Sequence, residues 1–304
     1  MKKELFSVQS DFDGLEIKAF LIEPSSKPKG IVQLVHGMCE HKDRYENLAE
    51  FFAQNGYVCA SHDHRGHGDS ILDGEGLGYF GDKKGKAIVD DTAKVTDYLK
   101  TRYPNLPVTL FGHSMGSMVV RLYLKDYENK IDKLIVCGSP SKNPLSGVAI
   151  VLAKTIALFR GKRHRCRTLS YLATGKANKP FEAEGKGAWL SVNRENVISH
   201  RDDPKCRFTF TCNGFENLFR LLHNTYKKKG YKAENKAMPI LFVAGADDPI
   251  IVSKKAWDSS VEFMKKLGYE TVERRLYEGM RHEIHNEIGR EEVLDDLLAF
   301  IQDK

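Results

Sequence analysis

The stretch Gly112-His113-Ser114-Met115-Gly116 constrains this chain more than any other. It follows Val108-Thr109-Leu110-Phe111, an apolar run that reads as a short strand. It opens Met115 to Tyr127, where Met115, Met118, Val119, Leu122 and Leu124 are spread along a helical period. Strand, five-residue turn and helix are the setting in which G-x-S-x-G presents a nucleophilic serine. The glycines have a steric reason: a serine at the tip of so tight a turn leaves no room for side chains two residues away. The helix then aims its unpaired N-terminal N–H groups at the place where an oxyanion would form. A lone G-x-S-x-G can arise by chance in a chain of this length. The flanking strand and helix favour the functional reading.

A serine hydroxyl is a weak nucleophile at neutral pH, so a base and an orienting carboxylate must come from elsewhere. Two later loops offer them. Met238 to Gly245 is a continuous apolar run with the pattern of a buried parallel strand, and it leads into Ala246-Asp247-Asp248-Pro249. Thr271 to Tyr277 reads as another strand, followed by Glu278-Gly279-Met280-Arg281-His282. Acid and base thus both lie just past strand C-termini, where such sheets bind ligands. His282 is the expected base and His285 the lesser candidate. Either aspartate of the first loop could orient the imidazole.

The rest of the chain alternates strand and helix. Leu15 to Ile22, Ile31 to Val35, Tyr57 to Ser61 and Ile131 to Cys137 read as strands. Tyr45, Leu48, Ala49 and Phe52 mark a helix stopped by Asn55-Gly56; Ile88, Thr92, Val95 and Leu99 mark one ended by Pro104. Leu294, Leu297, Leu298 and Ile301 mark a C-terminal helix. The fold class is α/β, a mostly parallel sheet with helices on both faces. One interval breaks the rhythm: from Gly138 to Met238 lie about 100 residues, where a βαβ unit needs about 30. The excess is read as an inserted helical cap at residues 141–226, with the core at 1–140 and 227–304.

Five segments carry a resemblance: His36-Gly37-Met38-Cys39-Glu40-His41, Asp63-His64-Arg65-Gly66-His67-Gly68-Asp69-Ser70, the serine turn, Gly245-Ala246-Asp247-Asp248 and Gly279-Met280-Arg281-His282. Together the chain resembles the monoacylglycerol lipase and lysophospholipase branch of the α/β-hydrolases. The resemblance implies a Ser114–Asp248–His282 triad, because the family's acid is the third residue after the strand-ending glycine. It also implies an oxyanion hole from the backbone N–H groups of Met38 and Met115, and a structural role for the Asp63 to Ser70 loop. The implied activity is hydrolysis of a small-molecule acyl ester, a monoacylglycerol, a lysophospholipid or another medium-to-long acyl ester, with no cofactor and no metal. Two alternatives stand beside it: an aminopeptidase on the same fold, which would need cap carboxylates such as Glu182 and Glu184 to bind an amine, and a non-catalytic ligand-binding relative. The filled triad positions argue against the second.

Within the cap, Val148 to Phe159 is apolar apart from Lys154 and Thr155, too short to span a bilayer, and a basic run from Arg160 to Arg167 follows. The favoured reading is a helix packed on the core with a solvated charge run after it. The alternative is an amphipathic lid that rests on a lipid surface, a peripheral membrane contact. Phe215, Leu218, Phe219, Leu222 and Tyr226 form a stripe expected to be core packing, or else an acyl wall. Trp189 and Arg207-Phe208-Thr209-Phe210 are further lining candidates.

A net charge of +6 and a pI near 8.8 are only mildly basic, and no nucleic-acid module gathers the basic residues. Six cysteines stand singly, and the N-terminal Met1-Lys2-Lys3 precedes no apolar stretch, so a cytoplasmic protein with reduced thiols is expected. His62, His64 and His67 look metal-rich but lack a completing ligand. His282-Glu283-Ile284-His285 is not H-E-x-x-H. Gly74, Gly76 and Gly78 open no helix, and Gly81-Asp82-Lys83-Lys84-Gly85-Lys86-Ala87 lacks the spacing of a phosphate loop. No feature of the sequence speaks to oligomeric state.

Overall fold

A computed structural model describes residues 1–72, 76–81 and 84–303. Gly74, Asp82 and Lys83 of the glycine-bearing stretches lie outside these residues. Eight strands form one sheet: β1 (Lys2–Gln9), β2 (Glu16–Glu23), β3 (Gly30–Val35), β4 (Tyr57–His62), β5 (Val108–His113), β6 (Lys133–Cys137), β7 (Ile240–Gly245) and β8 (Val272–Tyr277). Their order is β1-β2-β4-β3-β5-β6-β7-β8. β1 pairs antiparallel with β2 and β2 with β4, and every later pairing is parallel. β3, β4, β5 and β7 are buried at every position, which is why they read as mainly apolar runs without a polar face.

Nine α-helices connect and cover the strands: α1 (Glu46–Gln54), α2 (Ala87–Arg102), α3 (Met115–Tyr127), α4 (Ser146–Arg160), α5 (Arg167–Thr174), α6 (Arg194–Asp202), α7 (Cys212–Thr225), α8 (Lys254–Leu267) and α9 (Arg290–Gln302) among the described residues. Alternate residues of one strand serve opposite faces. Leu110 of β5 joins a core with Val95 of α2, Val119 of α3 and Val261 of α8, while Phe111 joins one with Phe52 of α1 and Leu297 of α9. The expected two-sided sheet is what forms.

Outside the interval between β6 and β7, two elements were not anticipated; within it, α5 and α6 were not placed either. β1 has no buried position, so its alternation is too weak to announce a strand; its register Lys3↔Ile22 and Leu5↔Phe20 is set by pairing with β2. α8 carries only a narrow stripe of Trp257, Val261 and Met264 in a lysine-rich segment. Its signals are terminal: the Ser253 hydroxyl accepts from Ala256 N at 3.2 Å, and Gly268 closes it at φ +115°.

α4, α5, α6 and α7 all lie between β6 and β7. Phe215, Leu218 and Phe219 of α7 are buried in the same core cluster as Leu110 and Val119, so most of that stripe is packing. Ile150 and Ala153 of α4 are buried in that cluster as well. The rest of α4 is less sheltered: Val148, Val151, Leu158 and Phe159 are exposed, the last two 81% and 78%. Among the described residues no helix is long and apolar enough to cross a membrane.

Candidate active site

β5 ends at His113 and α3 begins at Met115, leaving Ser114 alone between them at φ +54°, ψ −115°. A non-glycine residue adopts that conformation only where its surroundings enforce it. Here they do. A Cβ on Gly112 would stand 2.5 Å from Gly116 O, and one on Gly116 would collide with Val35 O. The helix therefore lies directly on the turn and on the end of β3. Ser114 N–H donates to Cys137 O at 2.9 Å, tying the turn to β6.

The two later loops converge on this point. Asp248 Oδ2 is 2.8 Å from His282 Nδ1, with the side chains 0% and 2% exposed. The other Asp248 oxygen accepts Ile250 N–H at 2.8 Å, so both are engaged. Asp247 is exposed. The choice of Asp248 over Asp247, which the resemblance implied, thus coincides with the partner of the imidazole. His285 is buried elsewhere: it stacks on Tyr45 at 5.1 Å, neither ring nitrogen has a hydrogen-bond partner, and burial lowers its pKa to about 3.

The His282 ring packs against the residues that flank the serine turn, its centroid 4.6 Å from that of His113. A Cβ on Gly138, next to the Cys137 that holds Ser114 N–H, would be 3.2 Å from His282 Cε1. Among the described residues Ser114 Oγ and the His282 ring do not form a hydrogen bond, and such catalytic bonds commonly tighten only in the transition-state complex. The loop after β3 approaches from the other side, where a Cβ on Gly37 would be 3.0 Å from Ser114 Cβ. Among the described residues neither Met38 N–H nor Met115 N–H has a hydrogen-bond partner. Trp189 packs against the His282 ring, centroids 5.0 Å apart.

Sequence reasoning passed over the polar layer beneath. Glu40, whose side chain is 4% exposed, accepts from Tyr45 OH at 2.9 Å and from Gly37 N–H, and it is paired with His113 at 3.1 Å. Burial opposes charge on both groups, but each is bonded to the other. His113 is raised above its ordinary value, and Glu40 is held well below the carboxylate range by His113 and Arg44. Arg44 donates to Glu283 Oε2 at 2.6 Å. Burial would push Glu283 up, yet the Arg44 charge brings it to about 2. The signal was present: Glu40 and His113 both sit in the quoted motifs, but a motif does not say which way a side chain turns.

The other clusters bond and pack within the fold. Asp63 accepts Lys42 N–H and Asp69 N–H, both at 2.8 Å, so its loop is folded around a buried carboxylate. His67 packs edge-on against Phe80, Phe208 and Phe210. His41, Asp203 and Cys206 gather possible ligand atoms within 4.8 Å. There, however, His41 Nε2 is already bonded to Asp203 at 2.8 Å, and the Arg44 charge acts on Cys206, a poor setting for a cation.

A mostly parallel sheet carrying a strained serine between strand and helix, with a buried aspartate–histidine pair on the loops after two later strands, defines an α/β-hydrolase. The family model for serine aminopeptidase S33 matches residues 26–289, and the chain belongs to that family. It is 28% identical to the monoacylglycerol lipase of Mycolicibacterium smegmatis, over 95% of this chain and 93% of that protein. It is 26% identical to human monoglyceride lipase, over 88% and 79%. Among solved structures it resembles a thermostable carboxyl esterase from Bacillus coagulans crystallised with glycerol, with a TM-score of 0.88 and 30% identity, covering 99% of this chain and 98% of that one.

Proposed function

We propose that this protein is a serine hydrolase that cleaves carboxylic esters through an acyl-enzyme. Ser114 Oγ attacks the ester carbonyl while His282 Nε2 takes its proton, and Asp248 holds the imidazole by Nδ1. The Met38 and Met115 N–H groups receive the oxyanion. Collapse of the tetrahedral intermediate expels the alcohol, which takes the proton back from His282. Water, deprotonated by the same imidazole, then attacks the acyl-enzyme and releases the acid and free Ser114. The carrying observation is the buried 2.8 Å Asp248–His282 bond beside a serine held at φ +54°.

The substrates we favour are monoacylglycerols, lysophospholipids or other medium-to-long acyl esters, in keeping with relatives named monoacylglycerol lipase and lysophospholipase. The peptidase alternative loses support because Glu184 is already paired with Arg281 at 2.6 Å. Labelling with a fluorophosphonate, followed by turnover of p-nitrophenyl esters of increasing chain length and of aminoacyl anilides, tests the reading. Labelling at Ser114 and turnover of esters is expected. Turnover of anilides without esters would overturn it.

The same reading divides the chain into a core at 1–140 and 227–304 and a cap at 141–226. The exposed apolar face of α4 is adjacent to exposed Arg160, Lys162 and Arg167. Apolar side chains beside cations match a bilayer with anionic headgroups, and we assign this face of the cap to peripheral contact with such a surface.

A further inference from the structure

We propose that Glu40 and His113 act as one positioning dyad that holds the oxyanion loop, the serine turn and the base loop in mutual register. This rests on the hydrolase reading above and assigns two residues beyond the triad and the oxyanion donors.

The argument begins with one oxygen atom. Glu40 Oε1 accepts from Gly37 N–H, from Tyr45 OH at 2.9 Å and from His113 Nδ1 at 3.1 Å. Gly37 immediately precedes Met38, so this bond fixes the peptide from which the first oxyanion donor extends. His113 immediately precedes Ser114. Its other nitrogen, Nε2, lies 3.1 Å from His282 O, the backbone carbonyl of the base itself. The oxyanion loop, the serine turn and the base loop are therefore all bonded to the same two side chains. The second Glu40 oxygen has no hydrogen bond and faces Arg44 Nε at 3.6 Å, while Arg44 donates to Glu283, the neighbour of His282. A second arm thus runs from the same carboxylate to the same loop.

The chemistry requires a charged pair. A carboxylate and a carbonyl both only accept, so His113 satisfies the two partners only with protons on both nitrogens. Neither Gln nor a neutral His at position 113 can make both bonds, and Gln at position 40 keeps an acceptor oxygen but loses the charge that holds His113 doubly protonated. A packing role would be indifferent to that count. A positioning role is not, because an oxyanion donor displaced by a fraction of an ångström loses most of its differential contribution to the transition state.

The test uses the full chain with a p-nitrophenyl ester, and every rate is divided by the active sites titrated with fluorophosphonate. Misfolded protein lowers the titre but not the rate per site. Glu40→Gln and His113→Gln should each lower kcat per site on the order of 10²-fold, the scale of one lost oxyanion donor, with KM within about threefold of native. The double variant should fall no further than the poorer single one, because the pair acts as a unit. Tyr45→Phe keeps every charge and removes one donor from the same oxygen; it should lose about tenfold per site and serves if a charge-changing variant yields no folded protein. A folded variant with kcat per site within about threefold of native, or losses that multiply in the double variant, would overturn the dyad. A native protein that neither titrates nor turns over the ester would instead sink the hydrolase reading.

Discussion

The Asp248 carboxylate meets the His282 imidazole 2.8 Å away, at a point that solvent does not reach. Neighbouring Asp247 is exposed and holds Met280 O only through its backbone. Asp248→Asn would offer Nδ1 a donor instead of an acceptor and favour the wrong tautomer, so kcat should fall on the order of 10⁴-fold with binding retained. Ser114→Ala and His282→Ala should each lose at least about 10³-fold. Asp247→Asn should stay within about threefold, since its side chain holds nothing at the site. Steady-state kinetics of the four variants decide the assignment, and a dead Asp247→Asn beside an active Asp248→Asn would move the acid by one residue.

Among the described residues Arg44 is the only cation bonded to Glu283, and both side chains are almost wholly buried, 7% and 2% exposed. Removing one partner of a buried pair leaves the other charge uncompensated, which costs about 3–5 kcal/mol. Arg44→Met should lower unfolding stability on that scale, with Glu40 also losing its neighbour. Arg44→Lys should recover only part, because an ammonium cannot reach Glu283, Glu40 and Asn196 with a planar fork. Urea unfolding gives the answer directly; an unchanged midpoint for Arg44→Met would show the pair to be dispensable.

How far the sequence told all this depends on which residues carried the signal locally. β5, β7 and the serine turn announce themselves because each is a short run whose burial or steric crowding is complete. The fold class follows from their alternation. α8 was invisible because its three buried apolar residues are diluted among polar ones and its caps, Ser253 and Gly268, are common residues. Ser114, Asp248 and His282 could be placed at loop ends from pattern, with the choice of Asp248 supplied by the resemblance. Glu40, His113, Arg44 and Glu283 could not. Their bonds cross 73 and 239 residues of sequence, and only the folded register of β3, β5 and the final loop brings them together.

The Glu40–His113 pair also sets a pH dependence for stability. Around His113 stand Glu40, Glu283, Arg44, His282, His285 and His36; the two acids favour its charged form. An imidazole raised on folding contributes fully below its ordinary value of 6.5 and loses that contribution as pH rises through the folded value. A carboxyl held low contributes fully above its ordinary value of 4.5 and loses it as pH falls through the folded one. The stability difference between native protein and Glu40→Gln should therefore be greatest from about pH 4.5 to 6.5 and shrink as His113 deprotonates above that range. Unfolding curves at a series of pH values would show it. A difference that grows steadily toward alkaline pH would mean that His113 is not charged.

The outer face of α4 supplies the last prediction. Leu158 and Phe159 are the most exposed large apolar side chains of the described residues, and Arg160 and Lys162 follow them directly. On a bilayer the two apolar groups would insert below headgroups that the cations contact, each fully buried side chain contributing about 1.5–3 kcal/mol. Leu158→Glu with Phe159→Glu should weaken binding to phosphatidylglycerol-containing vesicles by at least about tenfold. Arg160→Gln with Lys162→Gln should weaken it mainly at low salt, because the attraction is screened within a Debye length. Hydrolysis of a soluble short-chain ester should be unchanged by either pair, since none of these residues contacts Ser114, Asp248 or His282. Vesicle sedimentation beside ester kinetics separates the two effects, and equal sedimentation of native protein and the Leu158/Phe159 variant would leave that face without a lipid role.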